Sequence, residues 1–105
     1  MREAKKPMPT YRPDLFAQKV SSRGRVSREV VVEAEIESTV FSDHTAEQLV
    51  LMDDYIRHQK KRSVAVVGYL AVPDKKGAVA NAKSLVASMF PYGSKISVLA
   101  VHVSN

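Results

Sequence analysis

From Ser63 to Val72 the chain reads Ser-Val-Ala-Val-Val-Gly-Tyr-Leu-Ala-Val, ten residues without a charge. Pro73, Asp74 and Gly77 then break the run. A short, β-branched apolar run closed by turn residues is a strand, and one without polar alternation is expected at the centre of a sheet, buried on both faces. It is too short to span a bilayer.

The flanking segments supply the neighbours for this strand. Ser42 or Asp43 can cap a helix running to about Lys60, with Glu47 well placed in its first turn. Leu49, Met52 and Ile56 recur there at helical spacing, and Gln48, Leu51 and Tyr55 form an adjoining stripe. Ala78 to Phe90 suits a second helix, with Val79, Ala82, Leu85, Val86 and Met89 inward. Pro91 to Ser94 is a turn, and Lys95 to Val103 a last apolar strand. Upstream, Tyr11 to Val20 reads as a strand and Ser21 to Ser27 as a hairpin loop. From Glu29 to Glu37, Val30, Val32, Ala34 and Ile36 alternate with mostly acidic residues, the clearest strand pattern in the chain. The expected fold is a single α/β domain with a mixed central sheet, in the order β-β-α-β-α-β.

With 105 residues there is room for one domain and one core. So small a domain gains from self-association, and a homodimer is expected. The absence of cysteine excludes disulfides and thiolate chemistry and fits a reducing compartment. Met1 to Pro9 is basic with no apolar stretch, so it is not a secretory signal, and the chain is expected to be cytoplasmic with no membrane association.

The net charge of +5 is unevenly spread: up to Arg28 there are eight Lys or Arg against Glu3 and Asp14. A flexible basic arm over residues 1–10, ahead of a domain over 11–105, suits either phosphate contact or mere solubility. Gly68 and Gly77 stand alone, so no phosphate-binding glycine loop is present. No serine nucleophile elbow appears either.

Two acidic groups remain to be explained. Asp14 lies in Arg12-Pro13-Asp14-Leu15, and Glu33, Glu35 and Glu37 alternate along the second strand. Alternate strand residues share a face and lie roughly 6.5–7 Å apart. If the first two strands pair, Asp14 approaches Glu33, and two carboxylates with a backbone carbonyl make a hard-oxygen site for Mg²⁺ or Mn²⁺. The plainer alternative is a sheet with one wet, acidic face. Gln48 either finds a partner near those carboxylates or sits half in water. His44, near the acidic strand's end, either meets a substrate or is a solvated residue at the helix start, the plainer reading, and Lys60-Lys61-Arg62 reads as favourable charge at the helix end.

Together these residues resemble the PD-(D/E)xK nuclease superfamily, which includes restriction endonucleases, archaeal Holliday-junction resolvases and RecB-like nucleases. Pro13-Asp14 is similar to the PD element, Glu33-Ala34-Glu35 stands where (D/E)xK would follow, and Gln48 with Tyr55 resembles the glutamine-bearing helix of RecB-like members. The resemblance implies a restriction endonuclease-like core and metal-dependent hydrolysis of phosphodiester bonds in DNA. It implies Mg²⁺ or Mn²⁺ on Asp14, Glu33 and the Ala34 carbonyl, with Gln48 orienting water or phosphate. Nucleic acid would meet Arg12, Lys19, Arg23, Arg25, Arg28 and Tyr55. The sequence departs from the pattern in two ways. Glu35 holds the lysine position, where it serves as a third ligand or as the base, and Pro7, Pro9 and Pro13 leave no helix expected ahead of the first strand. The alternative is a non-catalytic α/β module that binds nucleic acid or protein through its basic arm.

Overall fold

Residues 11–102 are described in the computed structural model; the basic arm over 1–10 and Val103 lie outside them. The elements are β1 (Leu15–Val20), β2 (Val26–Ala34), a 3₁₀ turn (Glu37–Thr39), α1 (Asp43–Lys61), β3 (Ala65–Pro73), α2 (Lys76–Met89) and β4 (Ile96–Val101). They form one α/β domain with a four-stranded mixed sheet in the order β1-β2-β3-β4. β1 and β2 are antiparallel, and β2, β3 and β4 are parallel.

The β1–β2 hairpin closes locally. Ser21 donates its backbone amide to the Arg25 carbonyl, its hydroxyl accepts from the Arg23 and Arg25 amides, and Gly24 takes the positive φ of 78° that the reversal needs. β1 is shorter than the expected Tyr11–Val20. Pro13 has no amide to offer a ladder, and the side chain of Asp14, not its backbone, takes the Ala34 amide at 2.8 Å. Ser42 caps α1 by accepting from the Thr45 amide, and the Thr45 hydroxyl donates to the Thr39 carbonyl at 2.8 Å. Ser63 ends that helix at φ 65°, in the left-handed region.

Both helices pack on one sheet face. Leu49, Met52 and Ile56 of α1 and Ala78, Ala82 and Leu85 of α2 close over Val31, Val66, Leu70, Val72 and Ile96. Gly68 in β3 lets α1 approach, since a Cβ there would collide with Met52 and crowd Ile56.

Three expectations are corrected here. β3 is central, but the helices cover one face: Val66, Leu70 and Val72 are buried there, while on the other face Val67 is 39% exposed, Tyr69 half-buried and only Ala71 buried. Glu37 does not continue the acidic strand. β2 ends at Ala34, and the Glu37 carboxylate lies against Gly77 in the first turn of α2, where a negative charge suits the helix dipole. The third correction reverses the faces of β2. Glu29, Val31 and Glu33 point under the helices and are buried, whereas Val30 and Val32 face the uncovered side. The acidic face is therefore the covered one.

Burying a carboxylate is costly unless its lone pairs are occupied. Glu29 meets that condition: Gln18 Nε2 donates to Oε2 at 2.9 Å, and the Tyr55 hydroxyl and Gln59 Nε2 donate to Oε1 at 2.6 and 3.1 Å. These bonds tie β1 and α1 to the middle of the sheet. Glu33, four residues further along, has no comparable set.

Candidate metal centre

At the C-terminal end of β2, the chain turns through residues 35–42 and sends α1 back across the sheet. Ligands of open α/β sheets gather at this end of the strands. The turn brings Glu33, Glu35 and His44 together, with one donor atom of each within 4.8 Å of the others. Glu33 Oε2 is 4.0 Å from His44 Nε2. The Thr39 hydroxyl donates to Glu35 Oε1 at 2.7 Å and fixes that side chain.

Glu33 is only 3% exposed, and its Oε1 is buried with no hydrogen-bond partner among the described residues. Its carboxyl is pushed up from its ordinary 4.5 to about 7. Burial is the main cause, followed by the negative charges of Asp14 and Glu35; a hydrogen bond from the Asp14 amide opposes them. Among the described residues no lysine or arginine pairs with it, and only the His44 imidazole lies nearby. A divalent cation would supply a positive partner, so the donor set fits a metal ion by charge and by ligand type.

Two further polar atoms are buried without partners among the described residues, Tyr11 Oη and Gln48 Oε1. The Tyr11 ring packs on Tyr55 at 5.7 Å, and its hydroxyl is held well above the usual tyrosine range by burial first, then by the charges of Glu33, Tyr55 and Asp14. Gln48 is half-buried on the same flank of α1 as Tyr55 and borders a shallow hollow of about 460 Å³. A larger cleft, about 600 Å³, begins one residue past Glu35 and is lined by Ile36, Glu37, Ser38, Pro73, Lys75 and Asn81.

The residues singled out in the sequence divide into two groups. Asp14, Glu33, Ala34 and Glu35 lie at this end of the sheet, but the donor atoms that gather within 4.8 Å belong to Glu33, Glu35 and His44; Asp14 is not among them and holds the backbone beside Glu33 instead. Asp14 holds the Ala34 amide through Oδ2, and exposed Arg12 precedes it by two residues. Lys19 and Arg28 face each other across β1 and β2, on the sheet face opposite the carboxylates. Arg23 and Arg25 sit in the hairpin, at the other end of the strands. Five residues of strand separate Arg28 from Glu33, roughly 16 Å. Tyr55 is half-buried, with its hydroxyl committed to Glu29 and its ring against Tyr11 and Phe16.

The His44 side chain is 68% exposed, as expected of a solvated residue at the helix start, and it also lies beside the acidic strand's end; Tyr11 and Thr39 were overlooked. An aromatic residue three places before Asp14 was the available signal for Tyr11; nothing local distinguishes Thr39. No protein family, curated protein or solved structure matches the chain. No helix among the described residues is long and apolar enough to cross a membrane.

Proposed function

We propose that this chain is a small metal-dependent nuclease of PD-(D/E)xK type, hydrolysing phosphodiester bonds in DNA. The observation that carries the reading is the buried, unpartnered Glu33 Oε1 beside Asp14 and Glu35, at the positions of that motif. A bound Mg²⁺ or Mn²⁺ would supply a Lewis acid that acidifies a coordinated water and screens charge on the scissile phosphate.

The chain's own residues do the rest. Asp14, pinned through Oδ2, has Oδ1 for the ion, and Glu33 offers Oε1. The Ala34 carbonyl lies beyond the last β1 pairing, Leu15 with Val32, so β1 does not consume it. Glu35 keeps Oε2 while Oε1 accepts from Thr39. In the lysine's place it would complete the ion's ligand set through Oε2; the attacking water gives its proton to solvent as its oxygen bonds to phosphorus, and the bond to the leaving sugar oxygen breaks. That oxygen is protonated from solvent. Gln48 and Tyr11 present polar atoms for orienting water or phosphate. Lys75, in the adjoining cleft, is the basic residue nearest in chain to the C-terminal end of β3.

Binding without cleavage is the second reading, favoured by glutamate standing where the motif has lysine. Labelled single-stranded, double-stranded and branched DNA, incubated with and without Mg²⁺ or Mn²⁺, separates the two. The nuclease cuts only with metal, and Asp14→Asn, Glu33→Gln and Glu35→Gln each lose most of the activity. Equal cleavage by all three variants refutes the assignment. Binding by the basic segment should weaken linearly in log K as log salt rises. The homodimer belongs to the same proposal. A second copy would cover the open sheet face, where Leu15 is 57%, Leu99 41% and Val101 42% exposed, and sedimentation equilibrium tests it.

A further inference from the structure

We infer that His44 is a ligand of this centre, and that the site therefore takes a nitrogen-tolerant divalent cation, Mn²⁺ through Zn²⁺, in preference to Mg²⁺. The inference rests on the cation of the proposed function being held at Glu33, but not on cleavage.

The geometry fits a shared ion. An ion about 2.1 Å from each ligand sets cis donors about 3 Å apart and trans donors about 4.2 Å apart. His44 Nε2 and Glu33 Oε2 are 4.0 Å apart, inside that span; the whole donor set lies within 4.8 Å, a little wider than one ion spans, so a side chain must move inward by a few tenths of an ångström to close it. Two of the donors are fixed in place. Glu33 is buried, and Glu35 is held by Thr39. The third can adjust: the His44 side chain is 68% exposed and hydrogen-bonds no other described residue. Its backbone is steady, because the capping bonds of Ser42 and Thr45 anchor the start of α1.

A second observation points to a ligand independently. Among the described residues Glu33 Oε1 is buried without a partner, and no lysine or arginine forms an ion pair with Glu33 or Glu35. A carboxylate so placed calls for a proton, a water or a cation.

The ligand chemistry then sets the preference. Mg²⁺ favours oxygen donors in near-ideal octahedra and keeps several waters. Imidazole favours zinc, iron, nickel and copper, carboxylate accepts manganese, and affinity at mixed sites rises from Mn²⁺ towards Cu²⁺. One imidazole with two carboxylates is a mixed site. The positive end of the α1 dipole works modestly against any cation there, and the carboxylates offset it.

The test uses the full chain, free of any polyhistidine tag. Mn²⁺ is titrated by electron paramagnetic resonance, with Mg²⁺ as competitor, and nitrogen coupling to bound Mn²⁺ is read by electron spin-echo modulation. The parent should bind Mn²⁺ at least tenfold more tightly than Mg²⁺ and show coupling to an imidazole nitrogen. His44→Ala and His44→Asn should each lose that coupling and about tenfold in Mn²⁺ affinity, while Mg²⁺ affinity stays within twofold. Glu33→Gln should lose both ions. Mn²⁺ bound without nitrogen coupling, an unchanged affinity in both His44 variants, nitrogen coupling that survives Glu33→Gln, or no Mn²⁺ binding each overturns the inference. Cleavage is scored separately. A chain that shows the His44 signature but never cuts sinks the nuclease reading alone, and one that cuts with metal but shows no His44 nitrogen coupling sinks this inference alone.

Discussion

Replacing Glu33 by glutamine should stabilise the metal-free protein at neutral pH, although it removes a buried charge from the centre of the candidate site. In the folded chain the carboxyl is pushed from 4.5 up to about 7. A folded state that holds a proton more tightly than the unfolded one is at no disadvantage below pH 4.5. As pH rises through the window from 4.5 to about 7, the unfolded chain releases the proton first, and stability falls. Above pH 7 the loss is complete and constant. At 1.36 kcal/mol per tenfold change in proton affinity, the full loss is about 3 kcal/mol. Glu33 is 3% exposed, so solvent screens little of it.

The amide introduced by Glu33→Gln keeps the shape of the carboxyl, carries no charge, and can donate to the surrounding acidic oxygens. Urea denaturation in chelator should therefore show the variant and the parent alike at pH 4, diverging to ~2–3 kcal/mol in the variant's favour at pH 8. Excess Mn²⁺ should close or reverse the gap, because it stabilises only the chain that binds it. Parallel stability profiles between pH 4 and 8, or a variant weaker than the parent at pH 8, would refute the account of Glu33 as a strained, uncompensated carboxylate.

Glu29 should behave in the opposite way, because its lone pairs are occupied. Glu29→Leu strands the Tyr55 hydroxyl and two glutamine amides and should cost about 3–5 kcal/mol, with Tyr55→Phe costing about 1–2 kcal/mol, both read by denaturant melts. Gly68→Val should cost more than about 2 kcal/mol, because its side chain would displace Met52, which is 0% exposed; a neutral result in a thermal melt would contradict the close approach of α1. Ser63→Gly should stabilise by about 0.5–1 kcal/mol, since glycine holds φ 65° without steric cost. That gain should appear as a slower unfolding rate or a higher Tm.

Much of the architecture was legible in the sequence because it follows from local rules. The Ser42 cap, the spacing of Leu49, Met52 and Ile56, and the break at Pro73 define α1 and β3 within a residue or two. The β-β-α-β-α-β order follows from the same signals, as does the approach of Asp14 to Glu33 once the first two strands pair. What only the tertiary structure decided is which side of β2 is inside. A strand that alternates Val with Glu offers two faces, and Val30-Val31-Val32 carries apolar side chains to both. The choice falls to the face on which both helices pack. There Glu29 is tolerated because donors 11, 26 and 30 residues away converge on it. The covered face then holds Glu33, and the turn through residues 35–42 carries His44 back to it. Burial and carboxylate compensation depend on groups distant in sequence, so a period of two along one strand carries no information about them.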